Sequence, residues 1–191
     1  MLNRREFIIA LAGSAVAAMT GGTAKAEAKG KPGSMKNKRS KVSLVKTADR
    51  AAPSAGALYP LDIYVVAGNV TGLPEGIYKY MPGGHELKMV VKGDRRNELC
   101  GAALGQSPVK NGAAVIVFSA VPGRTTVKYG GRGIQYLHIE TGHAAQNVLL
   151  QAVSLDLGTV VIGAFHDDEV KKVMDMTGTE QPLYIMPVGK R

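Results

Sequence analysis

A single cysteine, no tryptophan and three phenylalanines are all that this 191-residue sequence offers of the residues that most often staple or fill a small domain. Cys100 alone forms neither an intrachain disulfide nor a paired-cysteine zinc site, so aliphatic and small residues have to build the core. Glycine is frequent, at 24, but follows no period of three, which excludes a collagen-like repeat. A continuous apolar run of about 20 residues, as a membrane span requires, is also missing. The nearest approach, Phe7 to Met19, is shorter and is broken by Gly13. Acids are scarce beside bases, 15 against 24, for a formal charge of +9, and the 45% apolar content is that of one ordinary globular domain.

What is present begins with an address. Arg4-Arg5-Glu6-Phe7 precedes an Ala-rich apolar stretch, and Ala24-Lys25-Ala26 follows with small residues where a signal peptidase reads. Residues 1–26 are therefore expected to be a twin-arginine-type signal peptide, with an ordinary secretory signal or an uncleaved anchor as alternatives. Export of this kind predicts a periplasmic location and no stable membrane insertion after cleavage. It also carries folded proteins, which favours a prosthetic group inserted before export. Residues 27–48 are rich in Lys, Gly, Ser and Pro without apolar periodicity, and read as a basic flexible arm. No aromatic residue is interleaved with its cations for base stacking, so no nucleic-acid partner is expected.

Residues 49–191 read as the folded domain. Leu61 to Val66, rich in β-branched and aromatic residues, predicts a buried strand. Ile77 to Met81 and Glu86 to Val91 flank Pro82-Gly83-Gly84-His85 as a hairpin. A short helix is expected from Asp94 to about Leu104, and a central strand over Ala113 to Ala120. From about Gly133 to Leu157, Ile134, Leu137, Thr141, Ala145, Val148, Ala152 and Leu155 recur at spacings of three and four, the stripe of a long helix. Tyr136, Ile139, Leu150 and Val153 are apolar on its other side, so the helix is expected to be covered nearly all round and to lie at a subunit interface. Gly158 is its expected stop. A strand over Thr159 to Phe165, a helix from Asp167 to Met176 capped by Asp167, and a last strand over Leu183 to Val188 complete an α+β (mixed α/β) reading.

Chemistry is constrained by elimination. Glu140 and His143 have the three-residue spacing of helical di-iron sites, but no second such pair exists, and no metal site is predicted. No Gly-x-Ser-x-Gly elbow supports a serine hydrolase, and Gly130-Gly131-Arg132-Gly133 lacks the strand and spacing of a dinucleotide fingerprint. What remains is Ala52 to Pro60, a run of small residues that lets backbone approach a flat ligand. Pro187-Val188-Gly189-Lys190-Arg191 adds two cations beyond the last strand that suit a phosphate.

These segments form an ordered set: Arg50 with Pro53-Ser54-Ala55-Gly56-Ala57-Leu58-Tyr59-Pro60, Gly76-Ile77-Tyr78-Lys79-Tyr80 with His85, and Lys128-Tyr129-Gly130 with Arg132-Gly133. Glu140-x-Gly142-His143-x-x-Gln146-Asn147, Gly163-Ala164-Phe165 and Pro187-Val188-Gly189 continue it. In that order the chain resembles the nitroreductase-like FMN-dependent family, in its SagB-type (thiazole/oxazole) dehydrogenase branch. The resemblance implies a central mixed sheet flanked by helices, an intertwined homodimer, and FMN at the dimer interface. It would set Ser54, Ala55 and Gly56 against the isoalloxazine ring, line the pocket with Val161, Ile162, Gly163 and Ala164, and bring Lys190 and Arg191 to the phosphate. Lys128 and Tyr129 match the Lys-Tyr pair that removes a proton in azoline-oxidising relatives. A surface lysine beside a packed tyrosine is the other reading of the pair.

One departure stands out. Family members open with an Arg-Arg-Ser-x-Arg phosphate motif and one or two helices before the small-residue segment. Here Lys38-Arg39-Ser40-Lys41 keeps a remnant, with Arg39 and Ser40 as its phosphate candidates, and too few residues follow for those helices. Two functions follow from the resemblance. One is an FMN-dependent oxidoreductase transferring hydride between flavin and a small organic substrate; the other is a non-catalytic flavin- or ligand-binding module.

Overall fold

The computed structural model describes residues 50–191, together with the dipeptide strand β1 (Leu2–Asn3), which pairs in parallel with β3 (Val70–Thr71). The expected signal peptide and basic arm, with Arg39 and Ser40, lie outside the described residues apart from that dipeptide.

The centre is a six-stranded sheet in the order β5-β4-β2-β6-β8-β7, with β2 (Leu61–Ala67), β4 (Gly76–Met81), β5 (Glu86–Lys92), β6 (Ala114–Ala120), β7 (Leu157–Thr159) and β8 (Gln181–Lys190). Every pairing within it is antiparallel, where a mixed sheet was expected. Alternation along β2 explains why Val65, Val66 and Ala67 are all fully buried: the sheet is covered on both faces. Ile63, Val65 and Ala67 pack with Ala144, Ala145, Val148 and Ala152 of α4 (Arg132–Ser154). Tyr64 and Val66 turn to the other face, against Leu99 and Ala102 of α1 (Arg96–Ala102), Val109 of α2 (Ser107–Asn111), and Val170 and Met174 of α5 (Asp167–Met174). Alanines on α4 let this 23-residue helix, about 35 Å long, lie close on the sheet.

The hairpin forms as expected. His85 takes a φ of 48° in its turn and sets Nδ1 2.7 Å from Tyr80 Oη. Two short helices were not anticipated, α2 and α3 (Gly123–Tyr129). The long helix ends before Gly158, at Ser154, because Asp156 takes the left-handed conformation at φ 56° and Gly158 lies within β7. The expected strand over 159–165 is mostly loop: only the bridge Ile162–Ile185 follows β7. Helix α5 starts on Asp167 as its first turn rather than its cap, which is His166, and stops at Met174. Nor is α4 covered all round within one chain, for Ile139, Leu150 and Val153 are 48%, 62% and 60% exposed. No helix among the described residues is long and apolar enough to cross a membrane.

Candidate active site

The small-residue segment forms a tight loop ahead of β2 containing a single 3₁₀ turn, Ala55–Ala57. Gly56, Ala57 and Tyr59 have φ of 61°, 55° and 46°, three left-handed residues within four. Only glycine takes that region without steric cost, so Ala57 and Tyr59 must be held there by their surroundings. Ser54 supplies part of the hold: its Oγ accepts the Tyr59 N–H at 2.9 Å, while its carbonyl accepts the Ala57 N–H at 3.1 Å. Above the loop the Arg50 guanidinium lies 3.8 Å from the Tyr59 ring centre.

This loop meets the last turn of α3. A β-carbon on Gly56 would lie 2.6 Å from Tyr129 Oη and 2.8 Å from Lys128 Nζ, so bare backbone faces the ends of both side chains. Lys128 is exposed, with Nζ 5.3 Å from the Tyr129 ring centre, and Tyr129 stands edge-on to Tyr136 at 5.1 Å. Helix α3 is tied in place twice. Arg124 grips Asp62 of β2 with both terminal nitrogens, at 2.9 and 3.2 Å, and Gly133 at the start of α4 packs where a β-carbon would come 3.0 Å from the Thr125 carbonyl carbon.

Two acids that sequence reasoning did not assign shape the site. Glu140 of α4 is only 5% exposed, and its carboxyl faces the Ser54 side chain and the Ala55 backbone. Burial pushes its pKa above the usual carboxylate value, against the lowering pull of Ser54, the Arg50 charge and Ala55. Glu140, Arg50, Tyr59, Ile63 and Tyr80 line a small cavity of about 40 Å³ beneath the loop. Asp62 joins a buried polar network in which Lys79 Nζ bridges Asp62 and Glu180, each at 3.0 Å. Glu180 also accepts from Tyr64 Oη at 2.7 Å and Ser119 Oγ at 3.2 Å. Burial and the bond to Glu180 raise the Tyr64 phenol to about 12. The signal for both acids was an acidic residue inside an otherwise apolar pattern: Glu140 within the buried helix stripe, Asp62 within the strand.

The other expected site residues lie elsewhere in the chain. Ile162 bridges Ile185; Gly163 lies beside the Tyr184 ring, 3.6 Å from its β-carbon position; and the Ala164 carbonyl accepts from Gln106 Nε2 at 2.9 Å. Lys190 and Arg191 are exposed at the far end of β8, where Lys190 pairs with Leu157. Because Leu61 aligns with Ala120 and Ala120 with Gln181, the loop sits at the opposite end of β8 from Lys190, roughly 30 Å away along the strand. Within one chain the structure brings Ser54, Ala55 and Gly56 to Lys128 and Tyr129, but not to Lys190 and Arg191. His138 and His143 are exposed, and no group of three metal-ligating side chains occurs among the described residues.

The fold is thus three-layered, with a glycine-bearing loop facing a lysine and a tyrosine at one end of the sheet. The chain belongs to the nitroreductase family, whose model matches residues 38–190. It is 45% identical over 142 residues to the nitroreductase-like protein MJ1384 of Methanocaldococcus jannaschii, covering 74% of this chain and 71% of that protein. It is also 27% identical over 146 residues to the microcin B17-processing protein McbC of Escherichia coli, covering 73% of this chain but 54% of McbC. Among solved structures, the E. coli microcin synthetase McbBCD complex superposes over 100% of this chain and 64% of the matched chain, with a TM-score of 0.76 at 22% identity. A nitroreductase-like protein of Anabaena variabilis matches at TM-score 0.69 and 30% identity, over 73% of this chain and 29% of its own length. The resemblance drawn from sequence, to the nitroreductase-like family in its SagB-type branch, is thereby borne out.

Proposed function

We propose that the chain is an FMN-dependent oxidoreductase that exchanges hydride with a small organic substrate and works as a homodimer. The observation that carries this is the contact of Gly56 with Lys128 Nζ and Tyr129 Oη: side-chain-free backbone beside two proton-bearing groups. Nothing projects from Gly56, so a flat ring could lie against this backbone where the flexible ends of Lys128 and Tyr129 meet it, and the turn has left-handed backbone at Gly56 and Ala57. When bound, FMN supplies hydride exchange at its N5. Ser54, Ala55 and Gly56 would hold its ring, Val161 to Ala164 would line the pocket, and Lys190 and Arg191, with Arg39 and Ser40, would hold its phosphate. Tyr129 Oη would hold or pass a proton to a substrate on the open side of the loop. Lys128 Nζ, which also faces Gly56, would be a second proton-bearing group there.

The dimer is supported by the separation of the two half-sites. One ligand reaches both the loop and the far end of β8 most simply when they come from two copies. The exposed apolar face of α4, with Ile139, Leu150 and Val153, offers the surface for a second copy. Periplasmic export by the twin-arginine route is part of the same proposal, and subcellular fractionation of the tagged full chain tests it.

The deciding experiment is the visible spectrum of the protein from residue 27 onward, made in the cytoplasm and purified without added cofactor. Oxidised-flavin bands, with FMN released on denaturation and bleaching on reduction followed by reoxidation by substrate, are the expected result. Bound flavin that does not cycle would leave the binding-module reading. A colourless protein that takes up no added FMN would overturn the proposal.

A further inference from the structure

We infer that Glu140 is the positioning residue of this site: its carboxylate holds the 54–59 loop in the left-handed form that sets Gly56 against Lys128 and Tyr129, and so governs how tightly flavin is held. The inference rests on the flavin reading above. The Glu140 carboxyl lines one cavity with Arg50 and Tyr59, against the residues that make the turn. The Tyr59 N–H donates to Ser54 Oγ at 2.9 Å, and the Ser54 side chain and the Ala55 backbone both act on the Glu140 carboxyl in favour of its charged form. The two ends of the left-handed turn thereby meet one side chain of a helix.

That helix is the rigid part. Ala144, Ala145 and Val148 seat α4 on the sheet one to two turns further on. Gly133, seven residues before Glu140, packs on the backbone of α3 at Thr125. Seven residues are about two helical turns, so Gly133 and Glu140 share a face. One stripe of α4 thus carries α3, with Lys128 and Tyr129, at one level and the Gly56 loop at the next. The spacing between the two is fixed by helix geometry rather than by loop flexibility.

A buried carboxylate needs such partners to be stable at all. Arg50, stacked on Tyr59, supplies the counter-charge, and the other titratable residues around the cavity are the phenols Tyr59 and Tyr80, with Asp62 occupied by Lys79 and Arg124. Glutamate therefore does here what an apolar residue of the stripe could not: it sets a carboxylate against the Ser54 side chain and the Ala55 backbone of the loop.

The test compares the wild-type chain with Glu140→Ala, Glu140→Gln and Ser54→Ala. Amide hydrogen exchange is followed in ligand-free protein, and the FMN dissociation constant is measured by quenching of flavin fluorescence. Glu140→Ala is expected to speed exchange at Ala55 and Tyr59 about tenfold or more while strand β6 keeps its protection. Its FMN affinity is expected to fall about tenfold. Glu140→Gln, whose amide oxygen still accepts a hydrogen bond, should recover most of both losses. If Glu140→Ala does not fold, Ser54→Ala removes the bridging hydroxyl at a half-buried position and must free the Tyr59 amide. Unchanged loop exchange in a folded variant, or a loosened loop with unaltered FMN affinity, overturns the inference. A wild-type protein that takes up no FMN sinks the flavin reading instead, and the exchange data still decide whether Glu140 holds the loop.

Discussion

Arg124 on α3 reaches back to Asp62 on β2 with two parallel hydrogen bonds, at 2.9 and 3.2 Å, across 62 residues of sequence. Arg124 is one helical turn before Lys128, so this fork fixes the face of α3 that ends at Lys128 and Tyr129. Substituting Arg124→Ala should cost little stability, about 1 kcal/mol or less, because its side chain is 42% exposed. Turnover should fall much further, by about tenfold or more, as the turn bearing Lys128 drifts. A melting curve beside a steady-state assay checks the split; a loss of equal size in both would argue against it.

Gly56→Ala asks a different question of the same contact. The new methyl group meets Tyr129 Oη and Lys128 Nζ, both ends of flexible side chains, and the φ of 61° adds roughly 1 kcal/mol of backbone strain. The expected outcome is a folded protein with weakened FMN binding, read by fluorescence titration. Wild-type affinity in the variant would mean that flavin does not lie against this loop.

Tyr129→Phe keeps the edge-on packing with Tyr136 and removes only the hydroxyl. Flavin content should be unchanged while substrate turnover drops by about 10² or more, the usual size of a lost acid–base contribution. Full activity would leave Tyr129 a packing residue.

The network under the sheet makes stability depend on pH. Hydrogen bonds from Tyr64 and Lys79 hold Glu180 below its ordinary value although burial opposes them, and Arg124 and Lys79 do the same for Asp62. Each carboxylate then binds its proton more readily in the unfolded chain. Their contribution is complete above the unfolded values of 4.5 and 3.8 and is lost as pH falls through the lower folded values. Glu140, raised by burial, acts in the opposite sense. At the alkaline end Tyr64 loses its contribution as pH rises from 10.0 to about 12. Urea unfolding against pH should therefore show an acid limb that flattens in Glu180→Gln. Glu180→Ala, which leaves Lys79 paired with Asp62 but takes the acceptor from Tyr64 Oη and Ser119 Oγ, should cost about 1–3 kcal/mol at neutral pH.

The elements readable in the sequence were those whose own residues specify them. Val115, Ile116 and Val117 form a short apolar run that only a strand buried on both faces accommodates, and Pro82-Gly83-Gly84 can do little but turn. The long helix announced itself through Leu137, Thr141, Ala145 and Val148. Helix α3 did not, because Gly123-Arg124-Thr125-Thr126 has no apolar period and is held instead by Asp62 and by the backbone at Gly133. The strand expected after Gly158 looked right in composition, but within residues 160–165 the only pairing is at Ile162. Of the site, the Ser54 loop and the Lys128–Tyr129 pair were legible as motifs. Their meeting was not, since it depends on a carboxylate, Glu140, that the sequence offered first as a metal ligand.

Leu150→Lys or Val153→Glu on the exposed face of α4 should leave the monomer folded and shift sedimentation from dimer to monomer. Flavin should be lost with the partner. A monomer that keeps its flavin would place the whole site in one chain.

Both rims of the sheet discourage a seventh strand. At one rim β5 alternates Glu86, Lys88, Val90 and Lys92, mostly open to water, and at the other β7 is three residues long. Charged or abbreviated borders make poor templates for edge-to-edge pairing. Side-by-side growth, which has no natural end, is thus disfavoured, and the homodimer proposed above would instead form face to face through the helices and close on itself after two copies.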